Sequence, residues 1–301
     1  MTGLAPALAL LLAQVPVGNA SSDVAGTPAE ETDVVETRTD SEERMTVPVH
    51  VDGQGPFRFL IDTGSQRTIV STSLATQLQL DPGPTIRIVS LAGVDAARTA
   101  RLQAFELGKR TYSGTMVPLM ERHNIGADGI IGTDSLQGQR VLLDFSNDTI
   151  EIGSAKSLGG NSGYEIVVTA RQRSGQLIMS EAKLDGVSLK VIVDTGAGIS
   201  IGNRALQQAL AKRGSVSGPI RLTSVTGDTV VADLGFARRL DIKEIFITNI
   251  IIAFTDTPAF TALDLDRRPA LFLGMRELRL FERVAIDFHK RRVMFDLPGE
   301  R

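Results

Sequence analysis

One seven-residue pattern occurs twice in the chain, and it limits what the chain can become. Phe59-Leu60-Ile61-Asp62-Thr63-Gly64-Ser65 in the first half is answered by Val191-Ile192-Val193-Asp194-Thr195-Gly196-Ala197 in the second. In each copy an apolar, β-prone run stops on a carboxylate, a threonine, a glycine and a small residue. Carboxylates are almost never fully buried without a partner. An acid at the end of a core strand therefore needs compensation, and the second copy offers it if the two acids meet and share a proton.

The repetition extends well beyond the motif. Met45 to Asp52 alternates with Val47, Val49 and Val51 on one face, turns at Asp52-Gly53 and returns through Phe57 to Ile61. Leu177 to Leu184, Asp185-Gly186 and Leu189 to Val193 repeat that hairpin. Period-two alternation closed by Asp-Gly is a hairpin signature. Thr68-Ile69-Val70 and Ile199-Ser200-Ile201 follow as short strands, each entering a helix. The first helix is expected over Ser73 to Gln79 with Ser71 or Ser73 as N-cap, the second over Asn203 to Lys212 with Asn203 as N-cap. Two further hairpins turn at Gly93 and Gly227, at nearly equal distances past each acid. Gly129-Ile130-Ile131-Gly132 is then matched by Leu271-Phe272-Leu273-Gly274, and each is followed by a short helical segment. Last, Val141 to Phe145 with Thr149 to Ile152 is matched by Val284 to Phe288 with Val293 to Phe295. Features repeated in one order indicate an internal duplication. The expected lobes are 44–152 and 164–298, joined by a Gly/Ser-rich connector over 153–163. The halves differ most at Ala253 to Pro269, where the second carries the longer loop.

Composition removes several chemistries. There is no cysteine, so disulfides, thiolate nucleophiles and thiolate metal sites are excluded. The three histidines, His50, His123 and His289, stand at no metal-ligand spacing, and no metal or cofactor is expected. Basic and acidic residues number 32 and 35, a balance without a nucleic-acid footprint. Residues 1–20 contain an apolar run, Leu4 to Val17, followed by Gly18-Asn19-Ala20. The run is short for a bilayer span and suits a secretory signal, although no Lys or Arg precedes it. Residues 21–43 carry eight acids against Arg38 alone and few apolar residues, so they read as a disordered acidic tether. An exported protein, periplasmic or extracellular, is the corresponding expectation.

On these motifs the chain resembles the aspartic peptidases of the pepsin and retropepsin superfamily, in a tandem two-lobe, retropepsin-like form. Asp62-Thr63-Gly64-Ser65 and Asp194-Thr195-Gly196-Ala197 match the catalytic signature, and Ile130-Ile131-Gly132 and Phe272-Leu273-Gly274 match the element that crosses under each catalytic loop. The resemblance covers Arg44 to Pro298. It implies a mostly β fold of two pseudo-symmetric lobes with short helices and a cleft between them. It implies Asp62 and Asp194 as the catalytic pair. Gly64, Gly196 and the Ser65 hydroxyl would hydrogen-bond the acids, and Thr63 and Thr195 would bond across the lobe interface. Ala197 cannot donate as Ser65 can, so the two acids are not equivalent. The hairpin turns at Ala92-Gly93 and Thr226-Gly227 fall where the family keeps its substrate-covering flaps. One chain supplying both acids implies a monomer.

The residues carry the chemistry independently of the resemblance. Two carboxylates at close range cannot both ionise, so the pair holds one proton and titrates as a unit. The ionised member takes a proton from a water, and the protonated member donates to an amide carbonyl. Aspartic proteases are the standard worked case of such splitting. Two functions follow: an endopeptidase acting on peptide or protein substrates, or a peptide-binding module that keeps the fold without turnover. Asp144, Asp287, Gly132 and Gly274 read as structural, and Arg87 and Arg221 as solvated strand positions.

Overall fold

The computed structural model describes residues 44–108, 110–158, 160, 164–211 and 215–298. It also describes four short strands nearer the N-terminus, Ala7–Leu8, Leu12–Gln14, Asp33–Glu36 and Arg38–Thr39. The protein is mostly β, with two many-stranded sheets and six short helices among the described residues.

Each half builds the same unit around its Asp-Thr-Gly loop. In the first, Met45–Val51 and Gln54–Ile61 form the antiparallel hairpin, and Gln54–Ile61 then runs parallel to Gly129–Ile131. Ile69–Ser71 lies antiparallel on the far side of Gly129–Ile131. In the second, Gln176–Leu184 pairs with Val187–Val193, which runs parallel to Ala270–Leu273, with Ser200–Gly202 beyond it. The strands around both acids are buried on both faces, which explains their unbroken apolar sequence. The first helix is Thr72–Gln77, capped by Ser71 through its Oγ to Leu74 N–H. The second is Arg204–Leu210, capped by Asn203. Both are shorter than the sequence suggests, the first ending at Gln77 with Leu78 as C-cap and the second at Leu210 with Ala211 as C-cap.

Several expectations need correction. The return strands of the two flap hairpins, expected near Thr99 to Leu107 and Thr229 to Phe236, span Val94–Leu107 and Thr229–Ile242. Each is followed by a strand absent from the sequence reading, Arg110–Met120 or Ile245–Phe254, which completes the lobe. The long loop of the second half is partly ordered as a helix, Pro258–Ala262, with Thr257 as cap and the Phe260 ring tilted against Phe272.

The seam is also more than a tether. Strands from both halves form one antiparallel platform, in the order Asp33–Glu36, Thr149–Gly153, Arg140–Asp144, Arg283–Asp287, Arg292–Asp296 and Ile166–Arg173. Within the expected connector, Leu158 is buried with Leu142, Ala285 and Met294, and Gly160 O accepts a bond from Arg140. The remainder of 153–163, at 159 and 161–163, lies outside the described residues. The tether expectation for 21–43 likewise falls mostly outside them. Where it does not, Asp33–Glu36 is an edge strand against Thr149–Gly153, because Val34 and Val35 give this short run β propensity within an acidic context. Most of the expected signal, 1–20, is outside the described residues. Ala7–Leu8 runs parallel to Thr223–Ser224 of the second flap hairpin, and Leu12–Gln14 antiparallel to Arg87–Val89 of the first. No helix among the described residues is long and apolar enough to cross a membrane.

The platform is joined across the halves by one fully buried ion pair. Arg140 Nη2 and Nε reach Asp287 Oδ2 at 2.8 and 3.2 Å, and Asp287 Oδ1 accepts from Lys290 N–H. Arg140 and Asp287 are directly opposite in the Arg140–Asp144/Arg283–Asp287 ladder. The symmetry-related pair, Arg283 and Asp144, is split instead. Arg283 turns to Asp296, and Asp144 closes its own turn through Ser146 and Asn147. Removing one partner of a buried pair leaves an uncompensated charge and costs about 3–5 kcal/mol. Asp287→Ala is therefore expected to destabilise the protein by about that amount in urea unfolding, and Asp144→Ala, whose removal strands no fully buried arginine, by clearly less.

Candidate active site

Each acid sits where an apolar strand ends and the chain turns back under its own sheet. Asp62 N–H donates to Ile131 O at 3.0 Å, and Asp194 N–H donates to Leu273 O at 3.0 Å. Directly after, Thr133 N–H reaches Ser65 O, and Met275 N–H reaches Ala197 O, both at 2.8 Å. The apolar-apolar-Gly segments thus hold both loops from below. A Cβ on Gly132 would lie 2.4 Å from the Arg67 backbone, and one on Gly274 2.7 Å from Ile199 C. Only glycine lets these crossings close.

The two loops meet across the lobe interface through their threonines. Thr63 N–H donates to Thr195 Oγ1 at 3.0 Å, and Thr195 N–H donates to Thr63 Oγ1 at 3.3 Å. The hydroxyls then donate onward, Thr63 Oγ1 to Val193 O and Thr195 Oγ1 to Ile61 O, both at 2.7 Å. All four groups are buried. Each bond crosses more than a hundred residues of sequence and fixes one loop against the other.

Asp62 and Asp194 are fully buried, each set against the motif glycine of the other loop. One oxygen of each is held by backbone. Asp62 Oδ1 accepts from Gly64 and Ser65 N–H at 2.8 and 2.9 Å, and Asp194 Oδ1 accepts from Gly196 N–H at 3.1 Å. The other oxygens, Asp62 Oδ2 and Asp194 Oδ2, are buried and find no donor in the fold. Burial raises both carboxyls well above their usual range, and for Asp62 the charge of Asp194 adds to this; the backbone N–H groups and Arg44 oppose it. The motif glycines are spacers between the lobes. A Cβ on Gly64 would stand 2.4 Å from Asp194 Oδ1, and one on Gly196 would stand 2.3 Å from Asp62 Cγ.

Ser65 departs from its expected part. Its hydroxyl donates to Arg67 O, so it closes the local turn and leaves the acid to the backbone. Ala197, buried in the second loop, has no hydroxyl to close its turn, and Asp194 Oδ1 accepts from Gly196 N–H where Asp62 Oδ1 accepts from both Gly64 and Ser65.

The residues Ala92, Gly93, Thr226 and Gly227 lie on the hairpin turns, and each turn is organised by a serine that the sequence reading passed over. Ser90 Oγ accepts from Ala92 and Gly93 N–H, and Ser90 N–H donates to Gly93 O at 2.8 Å. Ser224 N–H donates to Asp228 O, Gly227 N–H to Ser224 O, and Thr226 Oγ1 to Ser224 Oγ and Asp228 Oδ2. Ser-x-x-Gly at both turns is the signal that would have found them. The turns also cross over. Leu91 is fully buried in an apolar cluster with Ile178, Ile192 and Ala197 of the second half. Val225 is fully buried with Leu60, Ile125 and Ile130 of the first.

Beneath the loops the halves diverge. Six residues past each acid a hydroxyl accepts the N–H of the crossing glycine: Thr68 from Gly132 at 3.2 Å and Ser200 from Gly274 at 3.0 Å. Thr68 Oγ1 bonds part-exposed Asp134, whereas Ser200 Oγ donates to Glu277, which is almost fully buried. Burial pushes Glu277 up to about 7, against the lowering effect of Ser200 and Arg276. Glu277 was missed because its helix, Met275–Leu278, shows no pattern that marks a buried acid; its counterpart three residues past the first crossing glycine is neutral Ser135.

This geometry defines a two-lobed acid-protease fold with paired Asp-Thr-Gly loops. The aspartyl protease family model matches residues 47–135 and again 180–276, so the chain belongs to that family, with one match in each half. No curated protein sequence matches the chain.

Two outcomes follow. Gly196→Ala places a methyl group on the Asp62 carboxylate and is expected to cost about 1–3 kcal/mol in denaturant unfolding; Gly93→Ala, whose Cβ meets open space, should cost almost nothing. Glu277 keeps its proton in the folded chain up to about 7, while the unfolded chain releases it near 4.5. Its contribution is therefore intact below that lower value and is lost as pH rises through about 7. Glu277→Gln should reduce the fall of stability across this window by up to about 1.4 kcal/mol per pH unit, read from urea midpoints at stepped pH.

Proposed function

We propose that the protein is an aspartic endopeptidase whose Asp62/Asp194 pair activates a water against a peptide bond. The observation that carries this reading is the pair itself: two fully buried carboxyls, each set against the other loop's motif glycine, with one oxygen of each fixed by backbone N–H and the other without a donor. With one proton between them, the pair carries one negative charge. The ionised carboxylate takes a proton from the water as its oxygen attacks the amide carbon. The protonated carboxyl gives its proton to the carbonyl oxygen, and a tetrahedral diol results. Collapse of the diol returns a proton through the same pair to the leaving nitrogen and breaks the C–N bond. The proton belongs to the pair as a unit.

The surroundings suit an extended peptide. The flap hairpins cover the acids, and their outer strands at Arg87–Val89 and Thr223–Ser224 accept strand partners, as the pairing of Leu12–Gln14 and Ala7–Leu8 illustrates. An extended substrate paired with these edges would present its backbone to the acids, with Gly93 and Gly227 offering backbone contacts. Since Leu91 and Val225 are buried in opposite halves, the flaps must part before such a chain enters. Both acids come from one chain, so the cleft needs no second copy, and the protein is proposed to act as a monomer after export.

A peptide library incubated with wild type, Asp62→Asn and Asp194→Asn tests the reading. Wild type is expected to cut internal bonds, and each variant to lose at least about a thousandfold in kcat/KM while remaining folded. Because the pair's proton is held more tightly than by ordinary carboxyls, cleavage should be lost with rising pH as that proton leaves. A wild-type protein that binds peptides yet never cuts them from acid to neutral pH would make it a binding module instead.

A further inference from the structure

The two catalytic loops correspond at Thr68 and Ser200, which take the same part beneath the crossing glycines. Counting back from there, Gln66 and Arg67 of the first loop match Gly198 and Ile199 of the second. Ile199 is half-buried and packs against the apolar cluster that holds Ile178, Ile192 and Ala197. Arg67 reaches out of its loop instead, and its Nη2 donates to Met116 O at 2.7 Å. Met116 in turn lies against the outer strand of the first flap hairpin, Asp81–Val89, where a Cβ on Gly83 would collide with its terminal methyl. The guanidinium thus lies between the Asp62 loop and the base of that flap.

Gln66 and Arg67 line a cavity of about 400 Å³ between the halves. Asp134 and Gln137 extend its wall on the first half, and Gln172 and Gly175 supply the wall from the second. That second wall is tied to the first half beside the acids. Gln137 Nε2 donates to Gly175 O at 3.1 Å, and Gln172 Nε2 donates to Gln137 Oε1. Gln176, the next residue along, donates through Nε2 to Gly64 O in the Asp62 loop.

We propose that this cavity is a specificity site for an acidic side chain of the peptide substrate, with Arg67 and Gln66 reading its carboxylate. The inference rests on the peptidase reading for the peptide itself, and it adds the substrate class.

The polar groups of the cavity call for an acceptor. A guanidinium carries five N–H donors. Among the described residues the Arg67 side chain makes one hydrogen bond, to Met116 O, and its buried Nε makes none. Asp134 Oδ2 stands 3.7 Å from that Nε, beyond hydrogen-bond range. The Asp134 oxygens are already engaged, because Thr68 and Ser135 donate to them at 2.8 to 3.0 Å. Asp134 therefore offsets the charge of Arg67 without using its donors. The half-buried Gln66 side-chain amide has no hydrogen bond among the described residues. Gln137 and Gln172 are spent on each other and on Gly175, so they wall the cavity without competing for its occupant. Donors left unmet in a part-buried space carry a cost that a bound acceptor recovers. A carboxylate suits them, since its two oxygens take parallel N–H groups of a guanidinium and keep acceptor capacity for an amide. A peptide lying across the acids would meet this donor-rich site on one side of the cut bond and apolar Ile199 at the matching place on the other.

Peptide libraries in which each position around the cut bond carries Glu, Gln, Leu or Lys test the proposal. Cleavage by wild type, Arg67→Met and Gln66→Leu is read as kcat/KM. Affinity of the same peptides for Asp194→Asn, with and without Arg67→Met, is read by fluorescence anisotropy. Wild type is expected to favour Glu over Leu by about tenfold or more at one position, on one side of the cut bond, with Gln in between. Arg67→Met should bring that ratio to within about twofold and leave the preferences at other positions in place. Gln66→Leu should lower it about threefold. No Glu preference in wild type, or one that survives in Arg67→Met, overturns the proposal. A preference for Gln over Glu overturns it in favour of a site for neutral polar side chains. If Arg67→Met does not fold, Gln66→Leu decides, and an unchanged Glu preference there overturns the proposal. The affinity measurement needs no turnover. Peptides bound with the expected Glu preference yet never cut refute the peptidase reading and leave this one standing. Peptides cut without that preference do the reverse.

Discussion

Two carboxylates buried against each other are the constraint to which the rest of the structure answers. Left alone, such a pair would force the lobes apart, since like charges without water repel strongly and each acid alone resists burial. The fold offsets this in two ways. Backbone N–H groups from Gly64, Ser65 and Gly196 hold one oxygen of each acid. The threonines lock the loops across the interface so that the acids cannot move apart. Raised proton affinity then completes the balance, and an energetic liability becomes a group able to give and take a proton near a substrate.

The duplicated scaffold is symmetric where geometry is demanded and unequal where charge is set. Crossing glycines, cross-lobe threonines, capping residues and flap serines match in pairs. Ionisable groups do not. Buried Arg44 matches buried Gln176, Ser135 matches buried Glu277, and the buried Arg140–Asp287 pair matches an Arg283 and an Asp144 that each turn elsewhere. A backbone crossing has one workable shape, so both copies keep it. A buried charge needs one counter-charge, so doubling it would be destabilising.

Much of this was legible in the chain. Paired Asp-Thr-Gly loops, the apolar-apolar-Gly crossings, the flap turns and the helix starts at Ser71 and Asn203 announce themselves through local rules of strand alternation, glycine placement and capping. Strands such as Arg110–Met120 and Ile245–Phe254 did not, because their burial alternates irregularly as they leave one neighbour for another. The Ser65 hydroxyl was misassigned because sequence gives a donor without its direction. Arg44 and Glu277 were silent for a related reason: a charged residue looks solvated until the fold removes its water.

The sequence by itself determined that the chain is a doubled β unit bearing two equivalent acids, with no cysteine chemistry available to it, because repetition and residue type survive without coordinates. Tertiary structure alone decided that both acids are buried, each against the opposite loop's glycine, that each flap tip buries its apolar residue in the opposite half, and which charged groups lie out of water. Those facts depend on contacts between residues far apart in the sequence, and no local pattern encodes the direction of a side chain across an interface.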